Sequence, residues 1–303
     1  MRKLLSIMLV IMLVGSLFIG CAKKEEPVTE PTEATSAEST EATAENTEAN
    51  ADTQESGYAD GIYFATEDNF NDQTGWKSTV TVTVEGGKIT KVDWNAANKA
   101  AGKDKKTASA DGDYGLVAKG GAQAEWHEQA AVVEQYLVDN QSVDGINLLD
   151  EEGHTDSITG VSIHVGDFAA LVEKALAQGP VGKGPYTDGV HYAEASDFGS
   201  SGWKDNVTIT VINGNILAVN WNGTSKDGGK DKKTASIDGD YGMKNGGAQS
   251  EWHEQAAAME AYLLETQSPD QITMTAEGTT DAVTGVSIHV GDFVTLCQEA
   301  LSK

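Results

Sequence analysis

The sequence predicts an α+β fold made of two tandem copies of one small domain behind a disordered linker. Motifs in the middle of the chain return more than one hundred residues later, and solenoid repeats are much shorter, about 20–50 residues. Each copy opens with strand-like alternation around a turn and closes with helix-like periodicity. A hairpin followed by helices is typical of α+β domains rather than alternating βαβ units.

The N-terminus predicts export and a lipid anchor. Arg2 and Lys3 precede an apolar run over residues 4–19, which is short for a spanning helix and typical of a signal-peptide core. The run ends at Gly20 and Cys21 in a sequence that resembles a bacterial lipobox, so we expect cleavage after residue 20 and acylation of Cys21. The alternative is an uncleaved anchor helix. In both cases we expect a protein tethered to the cell membrane and working on its extracellular face.

Composition predicts a disordered spacer over residues 21–57. This segment is rich in Thr, Glu, Ala and Ser and has no aromatic residue before Tyr58. It cannot bury enough apolar surface to offset the cost of ordering.

The whole chain has 21 Lys and Arg against 47 Asp and Glu, a net charge of −26, which argues against nucleic-acid binding. With two cysteines only, we expect no disulfide framework, and we interpret Cys297 as a small core residue.

The rest of the chain is a tandem duplication of one domain. The copies cover residues 58–178 and 186–303, and a Gly- and Pro-rich linker at residues 179–185 joins them. The repeated motifs begin at Trp76 and Trp203, at Lys105 and Lys232, at Asp111 and Asp238, at Glu125 and Glu251, and at Thr159 and Thr284.

Each copy predicts the same elements in the same order. Val80 to Val84 alternate with period two before Gly86-Gly87, and the second copy turns at Asn213-Gly214, a strong type I′ hairpin signal. A Gly- and Lys-rich stretch follows, and its lysines are Lys105, Lys106, Lys232 and Lys233. We expect them to lie in a solvated loop; the alternative is that they contact an anionic group, such as a phosphate or an anionic acceptor. A helix from about Ala122 to Asp139 and a short terminal helix complete the copy.

A loop motif before the terminal helix is the strongest candidate for chemistry. It reads Asp156-Ser157-Ile158-Thr159-Gly160-Val161-Ser162 and returns as Asp281-Ala282-Val283-Thr284-Gly285-Val286-Ser287. Its glycine lets another molecule approach the backbone, and its last serine lies about five residues before a helix, where free N–H groups favour phosphate. The residues alone leave open a second interpretation: a loop with a Ser/Thr cap, repeated because the whole domain was duplicated.

Over residues 58–303 the chain resembles the FMN-binding domain family, whose motif is Asp-x-x-[Ser/Thr]-Gly-Ala-[Thr/Ser]. The opening Asp60-Gly61-Ile62-Tyr63 and the Gly86-Gly87 hairpin also match. The chain is most similar to PplA-type lipoproteins of extracellular electron transfer, which carry two such domains behind a lipobox and a spacer. Val161 and Val286 stand where the family usually has Ala, and Ser replaces the commoner Thr.

The resemblance implies one covalent FMN per domain. In the family, a flavin transferase joins FMN through its phosphate to the hydroxyl of the last motif residue, which implies Ser162 and Ser287. Asp156 and Asp281 would serve recognition by the transferase. Gly160 and Gly285 would give backbone access, with Thr159 and Thr284 beside them. The implied function is an electron carrier between a membrane quinol-linked dehydrogenase and external acceptors such as ferric iron or free flavins.

The repeated Trp-His-Glu triplets are interpreted as part of the flavin site or the core. Trp126 and Trp252 could pack in the core or stack on the flavin, and His164 and His289 could lie over the ring or face solvent. His127 and Glu128 are adjacent, which makes a poor metal pair even if His164 joins them, so no metal site is assigned. Nothing in the sequence resembles a Ser-His-Asp arrangement with its supporting motifs, so hydrolysis is not predicted. The alternatives are a non-redox surface binding module and a metal- or haem-capturing lipoprotein.

Overall fold

The computed structural model describes residues 57–303, and the predicted signal peptide, Cys21 and nearly all of the spacer lie outside them. The described residues form two three-stranded antiparallel sheets, each followed by helices, so the predicted α+β class is confirmed. Within this range no helix has both the length and the apolar character needed to cross a bilayer.

The two repeats have the same order of main elements. The first comprises β1 (Gly61–Thr66), β2 (Trp76–Glu85), β3 (Lys88–Asn98), α1 (Lys105–Ala110), α2 (Leu116–Gly120), α3 (Trp126–Asn140) and α4 (Gly166–Gln178). The second comprises β4 (Gly189–Glu194), β5 (Trp203–Ile212), β6 (Asn215–Ser225), α5 (Lys232–Ile237), α6 (Trp252–Thr266) and α7 (Gly291–Leu301), with short 3₁₀ turns at Lys244–Gly246 and Pro269–Gln271. The sheet orders are β1-β2-β3 and β4-β5-β6.

Both predicted hairpins form, and their turns need left-handed backbone. Gly86 and Gly87 have φ of +60° and +75°, and Asn213 and Gly214 have φ of +49° and +71°. Positive φ at both central positions is the type I′ geometry, which matches the right-handed twist of the flanking strands. The alternating valines of β2 point into the first core, as the period-two pattern predicts.

The helix α3 begins at Trp126, later than the predicted start near Ala122. A capping box causes the shift: the Glu125 side chain accepts from the backbone of Glu128, and Glu128 accepts the Glu125 N–H at 2.8 Å. The predicted apolar stripe is confirmed, since Trp126, Ala130, Val133 and Leu137 are all buried. In the second copy, helix α6 has the same buried stripe, formed by Trp252, Ala256, Met259 and Leu263.

Each sheet packs against the two long helices of its own repeat, and each repeat has its own apolar core. A third, smaller cluster joins β3 to the second sheet through Ala97, Ile212, Leu217 and Ala218. The linker contacts the first repeat as well, because the N–H groups of Val181 and Gly182 both donate to the carbonyl of Ile62.

The prediction of a solvated lysine loop is wrong. Asp104 accepts the N–H of Thr107 at 3.0 Å and so caps α1, and Asp231 caps α5 in the same way. Lys105 is half-buried and Lys232 is fully buried at the start of these helices. The aliphatic stem of a lysine can cover aromatic surface while its ammonium stays in polar contact, which the loop interpretation overlooked.

Candidate functional site

A cavity of about 430 Å³ opens in the first repeat beside Ser162. Aromatic rings form much of its lining, and both acidic and basic groups face it. Its lining residues are Glu67, Asn71, Thr74, Trp76, Ser78, Trp94, Lys105, Tyr114, Leu116, Trp126, Glu152, Ser162, Ile163, His164 and Asp167. The structure therefore brings together three of the predicted site residues, Ser162, His164 and Trp126.

Ser162 is exposed at the cavity, and a buried glutamine fixes its position. The backbone N–H of Ser162 donates to Oε1 of Gln129 at 2.7 Å, and its hydroxyl lies 3.3 Å from the same oxygen. Gln129 is 2% exposed and is held in turn by the carbonyl of Ala124, which accepts from its Nε2 at 3.0 Å. Because the hydroxyl donates to Gln129, its oxygen lone pairs stay open to an approaching electrophile.

The second repeat holds its serine in the same way. The N–H and hydroxyl of Ser287 lie 2.7 and 3.3 Å from Oε1 of Gln255, and the N–H of Ile288 adds a third bond at 3.2 Å. Neither glutamine was predicted to belong to the site. Gln129 follows Trp126 by three positions, so a polar residue on the apolar face of the helix was the sequence feature that could have indicated it.

The other motif residues lie outside the cavity lining. Asp156, Thr159 and Gly160 are exposed, and so are their counterparts Asp281, Thr284 and Gly285. Gly160 and Gly285 each have φ of +86° with open space where a Cβ would stand, so backbone conformation requires glycine there.

The branched residues that depart from the family motif face inward. Val161 is half-buried and packs against the first core, and Val286 is 9% exposed in the second. Both valines therefore contribute to packing.

Trp126 is a core residue and also part of the cavity wall. It is 3% exposed and meets Trp94 edge to face, with ring centres 5.1 Å apart. Trp252 repeats this contact with Trp221 at 5.2 Å. Trp94 Nε1 is buried and has no hydrogen-bond partner among residues 57–303. A buried donor without a partner costs stability.

Lys105 places a positive charge at the aromatic wall. Its Nζ lies 4.4 Å from the ring centre of Trp126 and 5.3 Å from that of Tyr114. Burial lowers the pKa of Lys105 to about 8, and the attraction of Asp167 and Glu67 offsets only part of this effect. Burial also raises the pKa of Glu67. The cavity thus holds titratable groups whose pKa values are displaced toward neutrality, a feature common at functional sites.

The histidines separate into two environments. Nδ1 of His127 lies 2.9 Å from the Ser109 hydroxyl, and Glu128 belongs to the capping box, so His127 and Glu128 do not join His164 in a metal site. His164 instead lies at the cavity beside His154 and Glu152, neither of which the sequence singled out. His289, its counterpart, is exposed.

Comparisons with known proteins give no family. No protein-family model and no curated protein matches the chain. Among solved structures, the chain is similar to a Clostridium thermocellum protein determined by solution NMR, with 54% identity over 39% of this chain and 90% of that one, at a TM-score of 0.32. A crystal structure of a Clostridium perfringens protein is 24% identical over 39% of this chain and 88% of that one, also at a TM-score of 0.32.

Proposed function

We propose that this protein is a membrane-anchored extracellular electron carrier with two covalently bound FMN groups, attached at Ser162 and Ser287. The observation that carries the proposal is the placement of Ser162. Its exposed hydroxyl stands at an aromatic-lined cavity and is oriented by the buried amide of Gln129. The same serine–glutamine arrangement recurs in the second repeat with Gln255.

The cavity residues suit a flavin in size and chemistry. A volume of about 430 Å³ falls within the range of small-molecule pockets, about 300–1,000 Å³. Trp76, Tyr114 and Trp126 offer aromatic surface to a planar ring, and the Lys105 ammonium offers a donor to its carbonyl and nitrogen edge. FMN, when bound, supplies one- and two-electron transfer.

The chain's own residues perform the supporting tasks. Gln129 and Gln255 orient the serine hydroxyls for attachment. Asp156 and Asp281 are exposed, which leaves them accessible to a flavin transferase. Lys105 holds positive charge beside the aromatic wall, where it would favour an electron-rich ring. A lipid anchor at Cys21 would keep the protein near a membrane quinol-linked dehydrogenase, with ferric iron or free flavins as external acceptors.

Mass spectrometry of variants tests the attachment sites. The chain exported together with an active flavin transferase should carry two FMN adducts by intact mass. Ser162→Ala and Ser287→Ala should each leave one adduct, and the double variant should leave none, because each change removes the only oxygen that bonds the flavin phosphate. Ser162→Thr should keep its adduct, since it preserves a hydroxyl.

Thr159→Ala and Thr284→Ala are the matched controls, because these exposed hydroxyls lie in the same loops. They should leave both adducts in place. Two adducts on the double serine variant would move the attachment elsewhere. A wild-type chain that stays colourless beside an active transferase would contradict the electron-carrier proposal and favour a non-redox binding module.

A further inference from the structure

The loop before α4 folds into a small hairpin that docks on the segment leading into this helix. Leu148 pairs with Thr155 in an antiparallel bridge. Between them Gly153 has φ of +92°, and its carbonyl accepts the N–H of Val165 at 2.8 Å. A Cβ on Gly153 would lie 2.9 Å from the backbone nitrogen of Gly166, so a side chain there would push the hairpin away. Glycine therefore makes the close docking possible.

This docking brings three metal-ligating side chains together: Glu152, His154 and His164. The two imidazole rings lie 4.2 Å apart between centres and are nearly perpendicular, at 87°. Oε2 of Glu152 is 4.0 Å from Nε2 of His164, and it lies 3.9 Å from Nδ1 of His154, the ring nitrogen that faces Asp150. One donor atom from each residue lies within 4.8 Å of the other two. With metal–ligand bonds of about 2.0–2.2 Å, small side-chain rotations would enclose an ion.

A fourth residue orients one of the imidazoles. Oδ2 of Asp150 lies 2.7 Å from Nδ1 of His154, and Oδ1 accepts the N–H groups of Gly153 and His154 at 2.9 and 3.0 Å. A carboxylate that holds one ring nitrogen fixes the tautomer and raises the basicity of the other nitrogen. With Nδ1 held by Asp150, Nε2 is the nitrogen of His154 that is free to bind a metal, as in carboxylate–histidine–metal sites.

The second repeat keeps the close docking of this loop and has Glu277 and His289 at the equivalent positions, but it lacks the second histidine and its orienting aspartate. Thr275 and Thr279 stand where the first repeat has Asp150 and His154, and their hydroxyls bond each other at 2.9 Å. The backbone is conserved in shape, since Gly278 has φ of +80° and its carbonyl accepts the N–H of Val290 at 2.9 Å. The histidine and carboxylate pair of the first repeat is therefore not a requirement of the fold.

We propose that Glu152, His154 and His164 bind one divalent first-row transition-metal ion at the mouth of the first repeat's cavity. Two imidazoles and one carboxylate suit Zn²⁺, Fe²⁺, Co²⁺ or Ni²⁺, whereas Ca²⁺ and Mg²⁺ prefer sets of oxygen ligands. Three protein ligands leave coordination positions open to water or another molecule. Glu152 and His164 also line the cavity beside Ser162, so the ion would stand next to whatever the cavity holds.

The test uses the full chain made without a flavin transferase, so its outcome does not depend on the proposed flavin. The purification tag contains no histidine. Calorimetric titration with ZnCl₂ should give one ion per chain, and CoCl₂ should give the visible absorption bands of bound Co²⁺. His154→Thr, which copies the second repeat, should abolish both signals. Asp150→Ala should weaken Zn²⁺ binding by about 10–100-fold, as expected for loss of an orienting carboxylate.

The second repeat supplies the matched controls. His289→Ala should leave one ion per chain, because His289 lacks the partner histidine. Thr275→Asp combined with Thr279→His should raise the stoichiometry to two. Near-ultraviolet circular dichroism checks that the variants keep their fold. Absence of Zn²⁺ and Co²⁺ binding to the wild type, or unchanged binding in folded His154→Thr, would overturn the proposal.

Discussion

The two repeats bury equivalent lysines beside equivalent tryptophans, but only one repeat closes the lysine into an ion pair. In the second repeat, Nζ of Lys232 lies 3.0 Å from Oδ1 of Asp205, and Oδ2 accepts the indole N–H of Trp221 at 3.1 Å. The side chains of the lysine and the aspartate are 8% and 10% exposed. Asp205, Lys232 and Trp221 thus form a buried polar trio, in which the carboxylate, the ammonium and the indole N–H each have a partner.

The first repeat has Ser78 where the second has Asp205. The Ser78 hydroxyl turns away to Oδ2 of Asp167, at 2.5 Å. As a consequence, within residues 57–303, Trp94 Nε1 has no partner and Lys105 has no carboxylate oxygen within 4.0 Å. Lys105 and Trp94 are both among the residues that line the cavity, although the Trp94 Nε1 atom itself is buried.

A further exchange shows that the difference is not confined to one position. The first repeat has Glu67, whose Oε2 accepts the Ser78 N–H at 2.6 Å, where the second has Ala195. Asp167 and Glu67 both lie near Lys105, but of the carboxylates near the two equivalent lysines only Asp205 is within ion-pair distance of its lysine, among the described residues. Within the same fold, one repeat pairs these polar groups with one another, and the other repeat leaves the equivalent tryptophan and lysine donors unpaired.

The largest expected effect comes from breaking the closed trio. Asp205→Ser leaves the buried Lys232 ammonium and the Trp221 N–H without partners, and loss of one member of a buried pair costs about 3–5 kcal/mol. Hydrogen exchange of the β5 and β6 amides, followed by mass spectrometry, should show a free energy of opening lower by about 3 kcal/mol. This measurement reports on the second repeat alone.

The control is Ser78→Ala at the equivalent position of the first repeat. It removes one hydroxyl hydrogen bond, to Asp167, and should lower the opening free energy of β2 and β3 by about 1 kcal/mol. Equal losses in the two variants would mean that Asp205 is not a special support of its repeat, and the contrast between the two sites would fail.

The converse substitution, Ser78→Asp, should close the open site. A carboxylate at this position would pair with Lys105 and accept the Trp94 N–H, as Asp205 does for its own partners. The pKa of Lys105, lowered to about 8 in the wild type, should rise. A ¹³C NMR titration of the lysine Cε resonances measures it, with Lys105→Met assigning the signal. A Lys105 pKa unchanged by the added carboxylate would contradict the proposed equivalence of the two positions.

The same lowered pKa predicts how stability depends on pH. The unfolded chain, with its ordinary lysine pKa of 10.5, binds the Lys105 proton more tightly than the folded chain does. The free energy of unfolding should therefore rise as pH increases from about 8 toward 10.5, because the buried charge is removed from the folded state. Urea denaturation over this range should show a larger rise in the wild type than in Lys105→Met, in which Lys77, whose pKa burial also lowers, still contributes.

Local patterns predicted the hairpins and the long helices, but they missed the short helices α1 and α5. The hairpin turn at Asn213-Gly214 and the apolar stripe that begins at Trp126 follow from spacing along the chain, because turn geometry and helix periodicity are local. The placement of Ser162 before a helix was also predicted, since α4 begins at Gly166. The flavin attachment itself stays a prediction.

The rest of the site depends on contacts that the sequence does not display. Lys105 looks like a surface residue until the packing of α1 against α3 sets its ammonium over Trp126. His154 and His164 meet because Gly153 lets a hairpin dock closely, and no spacing rule for a helix or strand would pair them. Burial and close docking are properties of the assembled core, so neither follows from local periodicity.

The smallest expected effect concerns Cys297, the one buried cysteine of the second core. It is 0% exposed, has no disulfide among the described residues, and stands where α4 of the first repeat has Val172, which is also buried. Burial raises its pKa, so the thiol stays protonated and inert. Cys297→Val should therefore change the free energy of unfolding by less than about 1 kcal/mol, because it exchanges one small apolar side chain for another of similar volume. The Val172→Cys variant of the first repeat is the reciprocal control and should be equally mild. A loss above about 2 kcal/mol by urea denaturation, or a lower flavin content in Cys297→Val alone, would show that the thiol has a role that the first repeat lacks.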